Sequence, residues 1–353
     1  MPKTSVPGLL VIRADATATV GGGHVMRCLA VADQWINQHS NAQVVFLCAE
    51  ISQKLTSRLQ AHGHAVKSID VERGSSQDAL ATSSFAIQNR ADAIIFDGYC
   101  FNHEYQHQVY DKSYLSVVYD DEAIRNKFWC DVIVNQNISA NPEYYRKIAP
   151  KSNLLMGTDY AALRPEFRKL HQQARSYSGN TDILISLGLS DTREILKSIL
   201  SGLSMFTLNT LNIEILTGKQ YLAELESFGV DIHHNVQCNN VVTDFAQKLY
   251  DTDMAILASG GTANEAACLG TPMLLVCIAD NQRPAYEEYV VRGIALGGGL
   301  AGNIYPDTIV HQTSRLLGES VTREQCGTMA HQAVDGHGAM RVVKEISALI
   351  NQK

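Results

Sequence analysis

Short apolar runs recur along the chain, each followed by a stretch with helical spacing. In the first half, residues 9–12, 42–47, 65–69, 93–96, 115–119 and 132–134 show the strand pattern, and residues 24–35, 55–62 and 77–89 the helical one. The run Ala93-Ile94-Ile95-Phe96 is apolar at every position rather than at alternate ones. Such a strand is buried on both faces, as in a parallel sheet covered by helices. Residues 171–181, HQQARSYSGNT, lose the periodicity and read as a linker. Alternation then restarts, with strands at 182–187, 212–216, 254–258 and 273–277 and helices at 192–205, 221–228, 241–250, 263–269 and 284–292. Gly63, Gly270 and Gly293 stand where helices should stop, and residues 338–350 close the chain as a last helix. Each half opens with an apolar strand, a glycine-containing loop and a helix. The pattern predicts an α/β protein of two Rossmann-like, doubly wound domains facing a central cleft, residues 1–170 and 182–353.

Composition narrows the function classes. With 45 % hydrophobic and 18 % charged residues over 353 positions, there is ample material for a core, and whole-chain disorder is excluded. Basic residues number 29 against 36 acidic, a net charge of −7, so a nucleic-acid partner is not expected. No apolar run approaches the ~18 residues of a membrane span, and the first residues lack a signal-peptide core. None of the eight cysteines forms a C-x-x-C pair, and several lie in apolar runs. Reduced thiols in a cytoplasmic protein are the expectation.

The candidate chemistry lies in loops that follow strands, where open α/β sheets bind ligands. Arg13-Ala14-Asp15-Ala16-Thr17 and Gly21-Gly22-Gly23-His24 join the first strand to the first helix. Three glycines let a ligand approach the backbone, and His24 stands at the helix start, where the partial positive charge favours neutral imidazole. Neutral imidazole can take a proton from water. The string fits neither the dinucleotide fingerprint nor the phosphate-binding Walker loop. In the second half, Ser259-Gly260-Gly261-Thr262-Ala263-Asn264-Glu265 again joins a strand to a helix. Free N–H groups there suit a phosphate, and Glu265 could accept from a ribose diol or cap the helix. Gly188-Leu189-Ser190-Asp191 and Ala279-Asp280-Asn281-Gln282 follow strands of the same sheet, so three loops converge.

Acids follow the first-half strands too. Asp97-Gly98-Tyr99 and Asp120-Asp121-Glu122 are expected on the same sheet edge as His24. They read either as solvated loop acids or as groups that recognise substrate or hold His24 in its working tautomer. His103-Glu104-Tyr105-Gln106-His107 matches the H-E-x-x-H zinc motif. A catalytic zinc wants a third protein ligand, and none follows at a familiar spacing. The stretch reads instead as an exposed helix capped by Asn102, and His233-His234 as a strand-end pair. Neither metal nor cofactor is expected.

Together these strings resemble the PseG-type UDP-sugar hydrolases of pseudaminic-acid biosynthesis, which act on UDP-2,4-diacetamido-2,4,6-trideoxy-β-L-altropyranose. The resemblance is carried by IRADA, GGGHVMRCLAVA, IIFDGY, VVYDDE, VNQN, GTDYAALRPEF, SLGLSD, ASGGTANEAACLGTPMLL, ADNQ and VDGHGAMRV, in order along nearly the whole chain. It implies a GT-B fold related to the lipid II-forming N-acetylglucosaminyltransferase, with nucleotide held mainly by the C-terminal domain and a last helix packing back toward the first. It also implies metal-independent hydrolysis at the anomeric carbon with inversion. Catalytic roles then fall on His24, Asp15 and Tyr99. Nucleotide contacts fall on Ser259, Gly260, Gly261, Thr262 and Glu265, with Asn281 and Gln282 near the sugar. Arg13, Gly21, Gly22, Gly23, Gly188, Ser190 and Asp191 complete the expected substrate-binding set. One departure stands out: the family shows Gly-Gly-x-Asp where this chain has Gly188-Leu189-Ser190-Asp191, and Leu189 adds a Cβ at a point of close approach. The implied partner is a small UDP-sugar substrate, and a monomer is the default for two domains that close on each other. Open alternatives are a glycosyltransferase of the same fold, a UDP-sugar-binding protein without turnover, and a related nonulosonate-pathway hydrolase for another sugar.

Overall fold

The structure, a computed structural model, describes residues 8–17, 21–175, 181–188, 192–216, 233–239 and 244–352. They form two compact units. The first runs in the order β1 (Leu9–Ala14), α1 (Gly23–Gln38), β2 (Gln43–Cys48), α2 (Gln53–Ala61), β3 (Ala65–Ser68), α3 (Ser76–Gln88), β4 (Ala93–Asp97), α4 (His103–Val109), β5 (Leu115–Tyr119), β6 (Val132–Asn135), α5 (Pro142–Ile148) and β7 (Asn153–Met156). The second comprises α6 (Pro165–His171), β8 (Asp182–Ser186), α7 (Arg193–Ser204), β9 (Asn212–Leu216), β10 (Asn235–Asn239), α8 (Phe245–Asp251), β11 (Met254–Ala258), α9 (Gly261–Cys268), β12 (Met273–Cys277), α10 (Arg283–Val291), β13 (Leu296–Leu300), α11 (Pro306–Gly318) and α12 (Ser320–Ala333). The last helix, α13 (Gly338–Ile350), returns to the first unit.

Both sheets are parallel throughout. The first has the order β3-β2-β1-β4-β5-β6-β7 and the second β10-β9-β8-β11-β12-β13. In each, the winding reverses at one point, between β1 and β4 and between β8 and β11. A crevice opens at such a reversal, outside the carboxyl ends of the strands. The central strands β4, β5, β11 and β12 are buried along their whole length, as their largely apolar sequences require, and Asp97 and Ser116 are the buried polar residues of β4 and β5. Helix starts follow the side chains available: Ser52, Ser75, Asn102 and Asn141 each accept a backbone N–H of the first turn of α2, α3, α4 and α5.

Apolar cores lie on both faces of the first sheet. One joins Ile12, Trp35 and Phe46 to Val342, Val343 and Ile346 of α13. The other gathers Phe96, Phe101, Tyr105 and Tyr145. Close backbone contact anchors the start of α13. A Cβ at Gly338 would lie 2.2 Å from the carbonyl oxygen of Ala161, so only glycine fits. The helix is pinned further by His39 Nε2 to Ser347 Oγ at 2.8 Å and by Arg341 Nη1 donating to Asp159 O at 2.9 Å.

The boundary differs from the expected 170, with its linker at 171–181. The first unit ends at Arg164 and resumes at His337, and the second covers Pro165–Gly336. Helix α6 belongs to the second unit because Phe167 is fully buried there, edge-on to Phe245. The polar stretch after it is also tied down. His171 Nδ1 donates to Cys268 O at 2.7 Å, and Arg175 donates to Thr271 Oγ1 at 3.0 Å and to Thr252 O. The rest of the expected linker from 176 to 180, and the helix expected at 221–228, lie outside the described residues.

Candidate active site

The winding reversal of the first sheet brings together the ends of β1 and β4. Between β1 and α1, Gly21 takes a left-handed φ of 73° and its N–H donates to Thr17 O at 2.9 Å. Helix α1 then starts on Gly22, and no side chain caps it. Gly23 is exposed, with nothing within 4 Å of where a Cβ would stand. His24 follows in the first turn, 8 % exposed. It borders a hollow of about 280 Å³ whose lining includes Asp15, Glu72, Arg73, Asp97 and Tyr99.

Two carboxylates flank the imidazole without hydrogen-bonding it. Nδ1 lies 3.8 Å from Asp97 Oδ1, and Nε2 lies 4.0 Å from Asp121 Oδ2. The Tyr99 ring meets it edge-on, with centroids 4.9 Å apart. Burial, and then Asp121, push the Tyr99 hydroxyl up to about 12, so at neutral pH it is a donor. Arg27, one turn along α1, holds both carboxylates. Its Nε and Nη2 donate to Asp97 at 2.5 and 2.6 Å, and its Nη1 to Asp121 at 2.8 Å. Burial alone would raise the Asp97 carboxyl. The charges of Arg27 and His24 outweigh burial and hold it below the usual range.

Two expected residues have other tasks. Arg13 is fully buried, donating to Asp78 from Nε and Nη2 at 2.9 and 2.8 Å and to Asp15 from Nη1 at 2.7 Å. Its guanidinium is sealed beneath the hollow, so the substrate contact expected of it is corrected to a structural role. Asp15 lines the hollow, but its oxygens are largely spent. Oδ1 accepts the N–H groups of Ala49 and Glu50 at 2.7 and 3.0 Å, and Oδ2 accepts from Arg13. The carboxylates beside His24 are therefore Asp97 and Asp121. The next acid, Asp120, is buried and accepts from Arg125 at 2.5 Å and from Tyr145 Oη at 2.7 Å.

The second sheet's reversal carries the other candidates. Gly188, with a left-handed φ of 84°, follows β8, while Leu189, Ser190 and Asp191 lie outside the described residues. Ser259, 2 % exposed, turns its hydroxyl inward toward Gln282 O at 3.4 Å. Gly260 forms the start of α9 without any side-chain cap, and Gly261 is exposed in open space. A helix start without a side-chain cap leaves N–H groups of the first turn at the positive end of the helix dipole. Thr262 and Glu265 are half-buried in the same turn. Asn281 is exposed in the short turn Asp280–Gln282. Gln282 leans over Gly260, and its buried Oε1 has no hydrogen-bond partner among the described residues. An unpaired buried acceptor of this kind is ready for a donor from a ligand.

The zinc-like string folds as α4, with Asn102 accepting from Tyr105 N at 2.9 Å. Tyr105 and Gln106 face inward, so the helix is less exposed than expected. No group of three His, Cys, Asp or Glu able to hold a metal occurs among the described residues. Just before β10, His233 Nε2 donates to Phe206 O at 3.1 Å, and His234 Nε2 donates to Leu203 O of α7 at 2.8 Å while its Nδ1 accepts from Leu211 N at 3.2 Å. Sequence reasoning missed Arg27, Glu72 and Arg73. Arg27 was findable, standing three residues after His24 on the same helical face. Glu72 and Arg73 sit in a loop with no motif.

The two doubly wound parallel sheets, with their covering helices, give the chain a GT-B fold. MurG of Acinetobacter baumannii superposes with a TM-score of 0.72 at 18 % identity, covering 97 % of this chain and 100 % of that one. The UDP-bound structure of MnaA from S. aureus gives a TM-score of 0.67 at 11 % identity over 98 % of both chains. In sequence, the chain is similar to the UDP-2,4-diacetamido-2,4,6-trideoxy-β-L-altropyranose hydrolase of Campylobacter jejuni, 22 % identical over 77 % of this chain and 93 % of that one. It is also similar to the spore coat polysaccharide biosynthesis protein SpsG of Bacillus subtilis, 25 % identical over 69 % of both. No family model matches the chain.

Proposed function

We propose that this chain is an enzyme acting on a UDP-activated sugar, and that it hydrolyses it. Water attacks the anomeric carbon, the bond from that carbon to the diphosphate oxygen breaks, and UDP and free sugar leave. His24 takes the proton from the attacking water. Attack from the face opposite the leaving group inverts the anomeric configuration. The uncapped start of α9 offers backbone N–H groups of the kind that suit a nucleotide diphosphate. No metal is needed in this scheme. The substrate favoured is a UDP-2,4-diacetamido-2,4,6-trideoxyhexose, as in the name of the C. jejuni relative. Arg73 and Glu72 at the hollow offer a donor and an acceptor suited to an acylamino group.

The observation that carries the reading is His24: an imidazole in the first turn of a helix, beside a hollow, flanked at both nitrogens by carboxylates. The test is UDP release from the diacetamido sugar nucleotide with no acceptor alcohol present. Release is expected, and His24→Ala should slow it by about 10²–10⁴-fold, the usual worth of a general base. Release only on adding an acceptor alcohol would replace hydrolysis by glycosyl transfer.

A further inference from the structure

Arg27 and His24 stand three residues apart on α1 and reach for the same two carboxylates. Asp97 comes from the end of β4 and Asp121 from the loop after β5. Each lies close to 4 Å from one imidazole nitrogen, at 3.8 and 4.0 Å. Neither forms a hydrogen bond to His24, because each is turned to the guanidinium at 2.5–2.8 Å. The guanidinium is further enclosed over the Tyr119 ring, 4.7 Å from its centroid.

We propose that Arg27 is a positioning residue for the reaction: by clamping Asp97 and Asp121 it fixes the frame around His24 and sets the pH below which the imidazole stops accepting a proton. The inference rests on the hydrolase reading for the reaction, but its physical core does not need turnover. An anion within ~4–6 Å favours the protonated form of a base. The groups facing His24 are Asp97 and Asp121, the Tyr99 ring, and Glu122 beside Asp121, with Asp15, Glu72 and Arg73 around the hollow. Most of these are acids. Arg27 is the cation bonded directly to the two nearest. Its charge offsets their pull on the imidazole, and its fork keeps them from swinging onto the ring. A lysine could supply the charge but not the fork.

The test follows the imidazole by NMR titration, with its resonance assigned by loss in His24→Gln, alongside the pH–rate profile. In Arg27→Gln, the midpoint should rise by about one pH unit, and the acid limb of the rate profile should shift by the same amount. The rate would then fall most on the acid side of the profile and recover as pH rises. Arg27→Lys should bring the midpoint most of the way back. Asp121→Asn leaves the Arg27–Asp97 fork in place and removes one anion, so its midpoint should fall. A folded Arg27→Gln protein with an unmoved midpoint and a rate reduced equally at every pH would overturn the proposal. If Arg27→Gln does not fold, Asp121→Asn decides, and a midpoint that stays or rises overturns it. Absence of turnover in the unaltered protein would sink the hydrolase reading instead, leaving the titration shifts to be judged separately.

Discussion

Asp15, Asp78, Asp97 and Asp121 are four aspartates around one strand-end crevice, and their partners divide the labour. Asp15 and Asp78 accept from the buried Arg13 and brace the floor. Asp97 and Asp121 are clamped by Arg27 and face His24. The position of His24 was legible in the sequence: it was expected at the start of the first helix after a glycine run, and it stands in the first turn of α1. Arg13 was misread because burial cannot be seen in a string: an arginine at the end of a strand looks the same whether it points to solvent or, as here, into the floor. The Arg13–Asp78 pair makes a testable case. Burial would raise the Asp78 carboxyl, but the Arg13 guanidinium, Gly74 N–H and Tyr105 hydroxyl hold it below the usual range. Asp78→Asn strips a buried cation of its bidentate partner, which should cost about 3–5 kcal/mol at pH 7. Because the folded-state value lies below the unfolded one of ~3.9, the stabilisation is complete above that pH and is lost as pH falls through the folded value. Denaturant unfolding should therefore show the gap between the two proteins narrowing below about pH 4. A gap that stayed constant with pH would refute the assignment.

Among the elements, strands with predominantly apolar runs were the most readable. Residues 93–96 and 115–119 reappear as β4 and β5 within one residue. Less visible were β10 and β13. β10, Asn-Val-Gln-Cys-Asn, is an edge strand with polar positions. β13, Leu-Gly-Gly-Gly-Leu, has no side-chain pattern of its own, and its pairing with β12 makes it a strand. Tertiary contact overrides local propensity in such segments. The final helix α13 shows the same lesson in reverse: its amphipathic pattern was plain, but the residue that seats it is Gly338, pressed on Ala161. Gly338→Ala should destabilise by about 1–3 kcal/mol, as overpacking does, and lower Tm by roughly 2–10 °C. Gly23→Ala, in open space at the start of α1, should leave Tm nearly unchanged, and calorimetry of the two variants separates a packing constraint from a general intolerance of added methyls.

Across the whole molecule, one winding order occurs twice, and both sets of candidate residues sit at the point where that order reverses. The sequence foretold this doubling, since each half opens with strand, glycine loop and helix. It did not locate the boundary at Arg164, because the ties of His171 and Arg175 to distant carbonyls leave no periodic trace. No helix among the described residues is long and apolar enough to cross a membrane. The shared GT-B fold serves transferases and other enzymes alike, so fold alone does not decide the reaction. The fate of the water oxygen does. The deciding measurement is turnover of the UDP-diacetamido sugar in ¹⁸O water with chelator present, followed by mass spectrometry and phosphorus NMR. Hydrolysis at the anomeric carbon puts the label on the sugar and leaves UDP unlabelled. Label on the UDP phosphate, or release abolished by the chelator, would contradict the account.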